Sequence, residues 1–178
     1  HRAIPVMGTP HGIFVDIAHH IKKSINIPVI ANGRIKNPSL SAEIIHEQKA
    51  DMISMTRALI ADSDWPNRVL RNEIEDITPC IGCNNCLDTF RARFYGRCAV
   101  NARWGKENTP IIKTLDPKKV LIIGGGPGGM EAARVAALRG HYVHLFEKKS
   151  HLGGQLRIAT VPPTKEELVP FREYLINQ

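Results

Sequence analysis

Aromatic residues are scarce in this 178-residue chain, at 6%. That scarcity argues against a single-strand nucleic-acid binder, which stacks bases on aromatics set between its cations. The chain carries a net charge of +7. Its basic residues are scattered in separate pairs, Lys22-Lys23, Lys118-Lys119 and Lys148-Lys149, so the charge reads as solvated surface. No apolar run approaches the ~20 residues of a membrane span, and no signal peptide is recognisable. A hydrophobic content of 43% can build the cores of one or two small domains. The chain begins at His1 rather than Met, and its last fold unit stops early, so a piece of a longer protein is expected.

Cysteine is equally sparse, and its placement is informative. All four cysteines lie between positions 80 and 98, as Cys80-Ile-Gly-Cys83-Asn-Asn-Cys86 and then Cys98. Two consecutive two-residue gaps bring three thiols round one tight loop, and Cys98 returns to complete a four-sulfur set. This is close to the C-x2-C-x2-C run of cubane iron–sulfur clusters, with the fourth ligand arriving from further along. Zinc is the competitor, although structural zinc sites usually place two C-x2-C pairs further apart. No cysteine is left over for a disulfide, which suits a reducing cytoplasm. His19, His20, His46, His141, His144 and His151 show no metal-like pairing with the cysteines and read as surface or packed residues.

Residues 1–78 alternate helix and strand. Ile13, Val15, Ile17, Ala18 and Ile21 predict a helix over about 12–25, ending in Lys22-Lys23 as a helix C-terminus favours. Ile27-Pro28-Val29-Ile30-Ala31 and Asp51-Met52-Ile53-Ser54-Met55 read as buried parallel strands. Asn37-Pro38 reads as an N-cap and first helical residue, and Pro66 as the start of a further helix. Strand–helix–strand–helix with short loops implies a parallel sheet, either a small open one or the tail of a barrel. The loops after the strands, Asn32-Gly33-Arg34 and Thr56-Arg57, favour the barrel. Small residues let backbone N–H groups approach an anion, an arginine adds bidentate charge, and phosphate sites form after the last strands of eight-stranded barrels. Surface salt bridges are the alternative for Arg34 and Arg57.

Residues 116–178 carry a second pattern. A polar linker precedes the apolar run 120–123, then Gly124-Gly125-Gly126-Pro127-Gly128-Gly129 satisfies G-x-G-x-x-G. Gly124 permits the tight turn, Gly126 lets a pyrophosphate approach the backbone, and Gly129 allows close helix–strand packing. An Ala-rich helix is predicted from Met130 to Leu138, closed by Arg139-Gly140. Tyr142 to Phe146 is a second strand, and Glu147 at its end suits a ribose diol. An acid there disfavours a 2′-phosphate and leaves FAD, NAD and ADP open. Gly153-Gly154-Gln155 is either a loop approaching a flavin's pyrophosphate or an ordinary turn.

Barrel end, cysteine cluster and dinucleotide fold, in that order, resemble the iron–sulfur flavoprotein branch of the old yellow enzyme superfamily. Its members include 2,4-dienoyl-CoA reductases and trimethylamine dehydrogenases. The resemblance runs along the whole chain and rests on IPVIANGRI, ADMISMTRALIAD, CIGCNNC with CAVNA, GGGPGG and FEKKSHLGGQL. It implies an α/β chain in three parts: the end of an FMN-binding TIM barrel (1–78), a [4Fe–4S] segment (79–115), and the start of a Rossmann-like domain for FAD or ADP (116–178). Arg34, with Gly33, and the Thr56-Arg57 pair then match loops that hold the FMN phosphate. Cys80, Cys83, Cys86 and Cys98 match cluster ligands, and Gly126, Glu147 and Gln155, with Gly154, match contacts to FAD.

The chemistry implied is electron transfer from NAD(P)H through FAD and the cluster to FMN, which reduces an activated carbon–carbon double bond. The amine dehydrogenases of the family run the flow outward to an external acceptor. They share the two-residue gap between Cys83 and Cys86, where the dienoyl-CoA reductases usually have one residue more, and they hold ADP in the dinucleotide fold. A third possibility, of another class, is a non-catalytic, zinc-stapled nucleotide-binding module. The residues that would donate a proton or line the substrate pocket belong to earlier barrel strands, so no catalytic acid is assigned, and His1 alone is no evidence for one. The nicotinamide preference and oligomeric state are not encoded in these motifs.

Overall fold

The computed structural model describes residues 4–92 and 95–178, so His1 lies outside the described residues. The chain forms two compact α/β units, His1–Trp104 and Gly105–Gln178. The cysteine segment expected over 79–115 is divided by that boundary, with all four cysteines in the first unit.

The first unit begins with helix α1 (Val15–Lys22), which buries Val15 and Ala18. It is shorter than the predicted 12–25 because Gly12 is left-handed (φ +70°) and its carbonyl takes the Val15 N–H, a turn rather than a helical start. Strands β1 (Ile30–Ala31) and β2 (Met52–Ile53) pair in parallel, Ile30 with Met52 and Ala31 with Ile53. The pairing is shorter than the apolar runs. Pro28 has no N–H to give, and the Val29 N–H goes to the Asp51 carboxylate at 2.8 Å. Lys22 also holds that carboxylate, at 2.6 Å, so the end of α1 and the start of β2 are tied together.

Helix α2 (Pro38–His46) starts as the sequence predicts, with the Asn37 side chain accepting from the Ser39 N–H at 2.8 Å and Pro38 at the first position. Helix α3 (Thr56–Ala61) corrects a reading: Thr56 and Arg57 are its first residues, not a loop. Helix α4 (Trp65–Leu70) follows, then a single 3-10 turn, Ile74–Asp76. Buried Asp62 joins these pieces, accepting from the N–H groups of Asp64 and Thr78 and pairing with Arg68 at 3.1 Å. Helix α5 (Asn85–Arg91) closes the cysteine loop. The core is Val15, Ala18, Val29, Ala31, Ile35, Ile44 and Ala50, a layer between the strand pair and its helices. Ile30 and Met52 on the strand pair are about half exposed.

In the second unit β3 (Lys119–Ile123) and β4 (Tyr142–Phe146) pair in parallel along their whole length, Lys119 with Tyr142 through Ile123 with Phe146. Helix α6 (Pro127–Leu138) crosses between them and begins three residues before the predicted Met130, because Pro127 is preset for a first helical turn. Gly140 ends it in the left-handed conformation, φ +85°. Two further helices, α7 (Leu156–Ala159) and α8 (Leu168–Asn177), follow. Buried Phe171 and Leu175 of α8 and Met130 of α6 form the apolar centre, while Leu121, Ile123, Tyr142 and Phe146 leave the other sheet face exposed. Among the described residues no helix is long and apolar enough to cross a membrane.

Ile44 is 1% exposed at the centre of the first core. Ile44→Ala is expected to cost about 3 kcal/mol through lost transfer energy and a residual cavity. Both tryptophans, Trp65 and Trp104, lie in this unit, so denaturant unfolding followed by tryptophan fluorescence reads the loss directly.

Candidate functional site

The loops after β1 and β2 meet at one cavity of about 200 Å³, lined among others by Gly33, Arg34, Lys36, Thr56, Arg57 and Cys80. Local backbone geometry fixes its wall. Gly33 has φ +111°, and a Cβ there would stand 2.9 Å from the Phe14 ring and 3.0 Å from its amide nitrogen, so only glycine fits. Arg34 is itself left-handed, φ +58°, and only 9% exposed. Its guanidinium holds that conformation: Nη1 donates to the carbonyls of Val6, at 2.6 Å, and Thr9, and Nη2 lies 3.5 Å from His11 Nε2.

Arg57, half-buried on α3, also reaches across the chain, its Nη1 donating to the Pro5 carbonyl at 2.6 Å and to the Asn84 side-chain oxygen. The structure therefore brings Gly33, Arg34, Thr56 and Arg57 together, but each arginine also binds backbone. Two contacts were not legible in the sequence. Lys36 Nζ donates to the Cys80 carbonyl at 2.7 Å. Gly82 is left-handed, φ +65°, and a Cβ on it would meet the Met7 amide nitrogen at 3.0 Å and Arg34 Nη2 at 3.1 Å. Both join residues far apart in the chain, and a lysine or glycine at such a position carries no motif.

The cysteine loop forms part of this wall. Left-handed Gly82 and Asn84 (φ +61°) turn the chain between Cys80, Cys83 and Cys86. Cys86 is buried, Cys80 and Cys98 half-buried and Cys83 exposed, and none is disulfide-bonded. Burial is the first cause that pushes the Cys86 thiol up, and Cys80 and Cys83 push it further. Burial likewise raises Cys98, with Cys80 and Cys86 as further causes against backbone N–H groups that lower it. Cys86 and Cys98 thus each feel two of the other sulfurs. Yet no three ligating side chains among the described residues stand close enough to hold a metal ion. The two observations agree physically: thiols do not attract one another, and a sulfur site is drawn tight by the metal it binds. As a donor set, four thiols on one short, turned segment fit a sulfur-liganded centre.

In the second unit the glycine turn is built by close backbone packing. Gly124 (φ +105°) gives its N–H to the Phe146 carbonyl at 2.7 Å. A Cβ on Gly129 would lie 1.9 Å from the Gly124 carbonyl oxygen, which only glycine permits. The Gly153 N–H donates to the Gly125 carbonyl at 2.8 Å, and a Cβ on Gly154 would come within 2.9 Å of Gly126 Cα, so the second glycine loop lies against the first. Gln155, next in line, is the N-terminal flank of α7. A Cβ on Gly126, in contrast, would meet nothing within 4 Å. This open cradle beside the N-terminus of α6 is where a pyrophosphate fits.

Glu147 sits at the end of β4 with both oxygens engaged, Oε2 accepting from Gly125 N–H at 2.7 Å and Oε1 from Lys149 N–H at 2.9 Å. The N–H of Lys149 and then that of Gly125 hold its carboxyl below the usual carboxylate range. The acid therefore fastens the glycine turn.

One chain thus carries an arginine-lined cavity in its first unit and a glycine-turn fold in its second. Residues 10–76 match the NADH:flavin oxidoreductase / NADH oxidase family model, and residues 119–172 match FAD dependent oxidoreductase. The chain is 45% identical over 174 residues to a metal reductase of Desulforamulus reducens, covering 96% of this chain and 26% of that protein. It also superimposes on 2-naphthoyl-CoA reductase (TM-score 0.92, 32% identity, 98% of this chain and 27% of that one). Histamine dehydrogenase from Rhizobium sp. 4-9 is similar too, at TM-score 0.89 and 29% identity, covering 98% of this chain and 27% of that one. The chain belongs to the NADH:flavin oxidoreductase / NADH oxidase family of the old yellow enzyme superfamily. It spans about a quarter of the length of the relatives it matches.

Gly129→Ala is expected to destabilise the second unit by about 3 kcal/mol, since the clash is with backbone, whereas Gly126→Ala leaves its unfolding midpoint within about 0.5 kcal/mol and weakens nucleotide binding. Urea unfolding by circular dichroism, with calorimetric titration of FAD and ADP, separates the two. For Glu147, the folded pKa lies below the unfolded value of about 4.3. Its stabilising contribution is thus complete above that value and fades as pH falls through the folded pKa. Glu147→Gln should flatten the fall of the melting temperature between about pH 5 and 3 relative to the parent; parallel melting curves would contradict it.

Proposed function

We propose that this chain is the cofactor-relay portion of a multi-cofactor NAD(P)H-dependent flavin oxidoreductase that reduces an activated carbon–carbon double bond, of the enoate or acyl-CoA type. The observation that carries the reading is the cavity shared by Gly33, Arg34, Thr56, Arg57 and Cys80. Residues suited to a flavin phosphate and one proposed cluster ligand line the same wall, so the two centres would be neighbours.

When bound, flavins exchange hydrides and single electrons, and a [4Fe–4S] cluster exchanges single electrons, which together convert between two-electron and one-electron chemistry. In this reading 1–78 is the end of a (β/α)8 barrel, and Arg34 and Arg57 neutralise the FMN phosphate beside the glycine-lined backbone. Cys80, Cys83, Cys86 and Cys98 hold the cluster. Gly124, Gly126 and Gly129 cradle the pyrophosphate of FAD or ADP, Glu147 orients its ribose, and Gly154-Gln155 closes over it. NAD(P)H and the reducible substrate are the small-molecule partners. Proton donation and substrate contacts fall to residues outside this chain.

A second reading has its own support. The tight spacing of Cys83 and Cys86 and the likeness to histamine dehydrogenase suit an amine dehydrogenase, whose electrons leave through the cluster to an external acceptor.

Iron, acid-labile sulfide and zinc per chain, measured on anaerobically purified protein, test the common core of both readings. About four irons and four sulfides are expected, the content of one cubane cluster, and Cys86→Ser should abolish the sulfide. One zinc and no sulfide would instead leave a zinc-stapled nucleotide-binding module. In the full-length protein, NADH-dependent reduction of an enoyl-CoA, against dye reduction by a methylated amine, then separates reductase from dehydrogenase.

A further inference from the structure

Lys36 occupies a position that no motif assigns. It lines the cavity with Arg34 and Arg57, and its Nζ donates to the Cys80 carbonyl at 2.7 Å. Its backbone is fixed independently, because the indole N–H of buried Trp65 donates to the Lys36 carbonyl at 3.1 Å. Only Cα and Cβ of Cys80 separate the carbonyl that Lys36 holds from the sulfur of the same residue. Arg57 makes a parallel connection from the cavity to Asn84, between Cys83 and Cys86. The ammonium group of half-buried Lys36 therefore sits at the junction of the two proposed centres.

We propose that Lys36 is a positioning residue that sets the reduction potential of the centre held by Cys80, Cys83, Cys86 and Cys98. This inference rests on the cluster reading above. A centre held there would gain one negative charge on taking one electron from a reduced flavin, with no bond or proton exchanged at Lys36. A fixed cation close to that added charge, in partly buried surroundings, stabilises the reduced form and raises the potential. Its hydrogen bond to the Cys80 carbonyl also holds the ligand loop against the cavity wall.

The test is an anaerobic redox titration of the intact protein with its cofactors, followed by electron paramagnetic resonance, on Lys36→Met, Lys36→Gln and Lys36→Arg. The Met and Gln variants are expected to lower the one-electron reduction equilibrium constant about tenfold, about 59 mV, and the Arg variant to restore most of it. If Met loses iron while Gln keeps it, the bond to Cys80 is what retains the loop, and the Gln midpoint decides the electrostatic part. Unchanged midpoints with about four irons and sulfides retained would overturn the role of Lys36 and leave the cluster reading standing. Zinc without sulfide in the parent protein would overturn both.

Discussion

The first unit depends on a buried cation held in an unfavourable backbone conformation. A non-glycine residue with positive φ is uncommon, and a buried guanidinium requires a full set of acceptors. Arg34 combines the two, and it does so because its side chain reaches the carbonyls of Val6 and Thr9. Those bonds draw the segment before α1 over the end of the strand pair, and Gly82 packs against the same guanidinium from the cysteine loop. Three segments distant in sequence thus converge on one side chain. The cavity exists because Arg34 organises its surroundings, and the Gly33 turn is what lets Arg34 enter them.

The second unit is governed by steric exclusion rather than by charge. Gly129 against the Gly124 carbonyl and Gly154 against Gly126 leave no room for side chains, while Gly126 itself faces open space. Close packing on one side and an open cradle on the other leave room for an anion beside an otherwise tight turn. Glu147 adds the electrostatic part, since a carboxylate that accepts two backbone N–H bonds keeps the turn closed and stays ionised.

The parts legible in the sequence are those whose cause is local. G-x-G-x-x-G, the N-cap at Asn37 and the continuous apolar run of β3 specify their structures from neighbouring residues. The apolar runs at 27–31 and 51–55 identified parallel strands, yet only two residues of each pair, because Pro28 and the Asp51 carboxylate take the ladder's place at one end. Thr56-Arg57 read as a loop because a helix as short as α3 has no room for a visible period. Helix α5 was hidden by the cysteines, whose spacing speaks to ligation and not to conformation. At the site, residue types were readable and their partners were not: nothing near Lys36 in the sequence points to Cys80.

That hidden partnership bears on direction. Both centres proposed for the first unit become more negative when they accept an electron, and Arg34, Lys36 and Arg57 stand along the wall they would share. Cations placed between two acceptors stabilise the reduced state of each, so the wiring itself favours neither inward nor outward flow. On the proposed reading, a reductase and a dehydrogenase could use the same wall, and the direction would be set by what reacts at the far ends. On that reading, the cysteine spacing and the Lys36 bridge would constrain how electrons move more tightly than they constrain what the whole protein acts on.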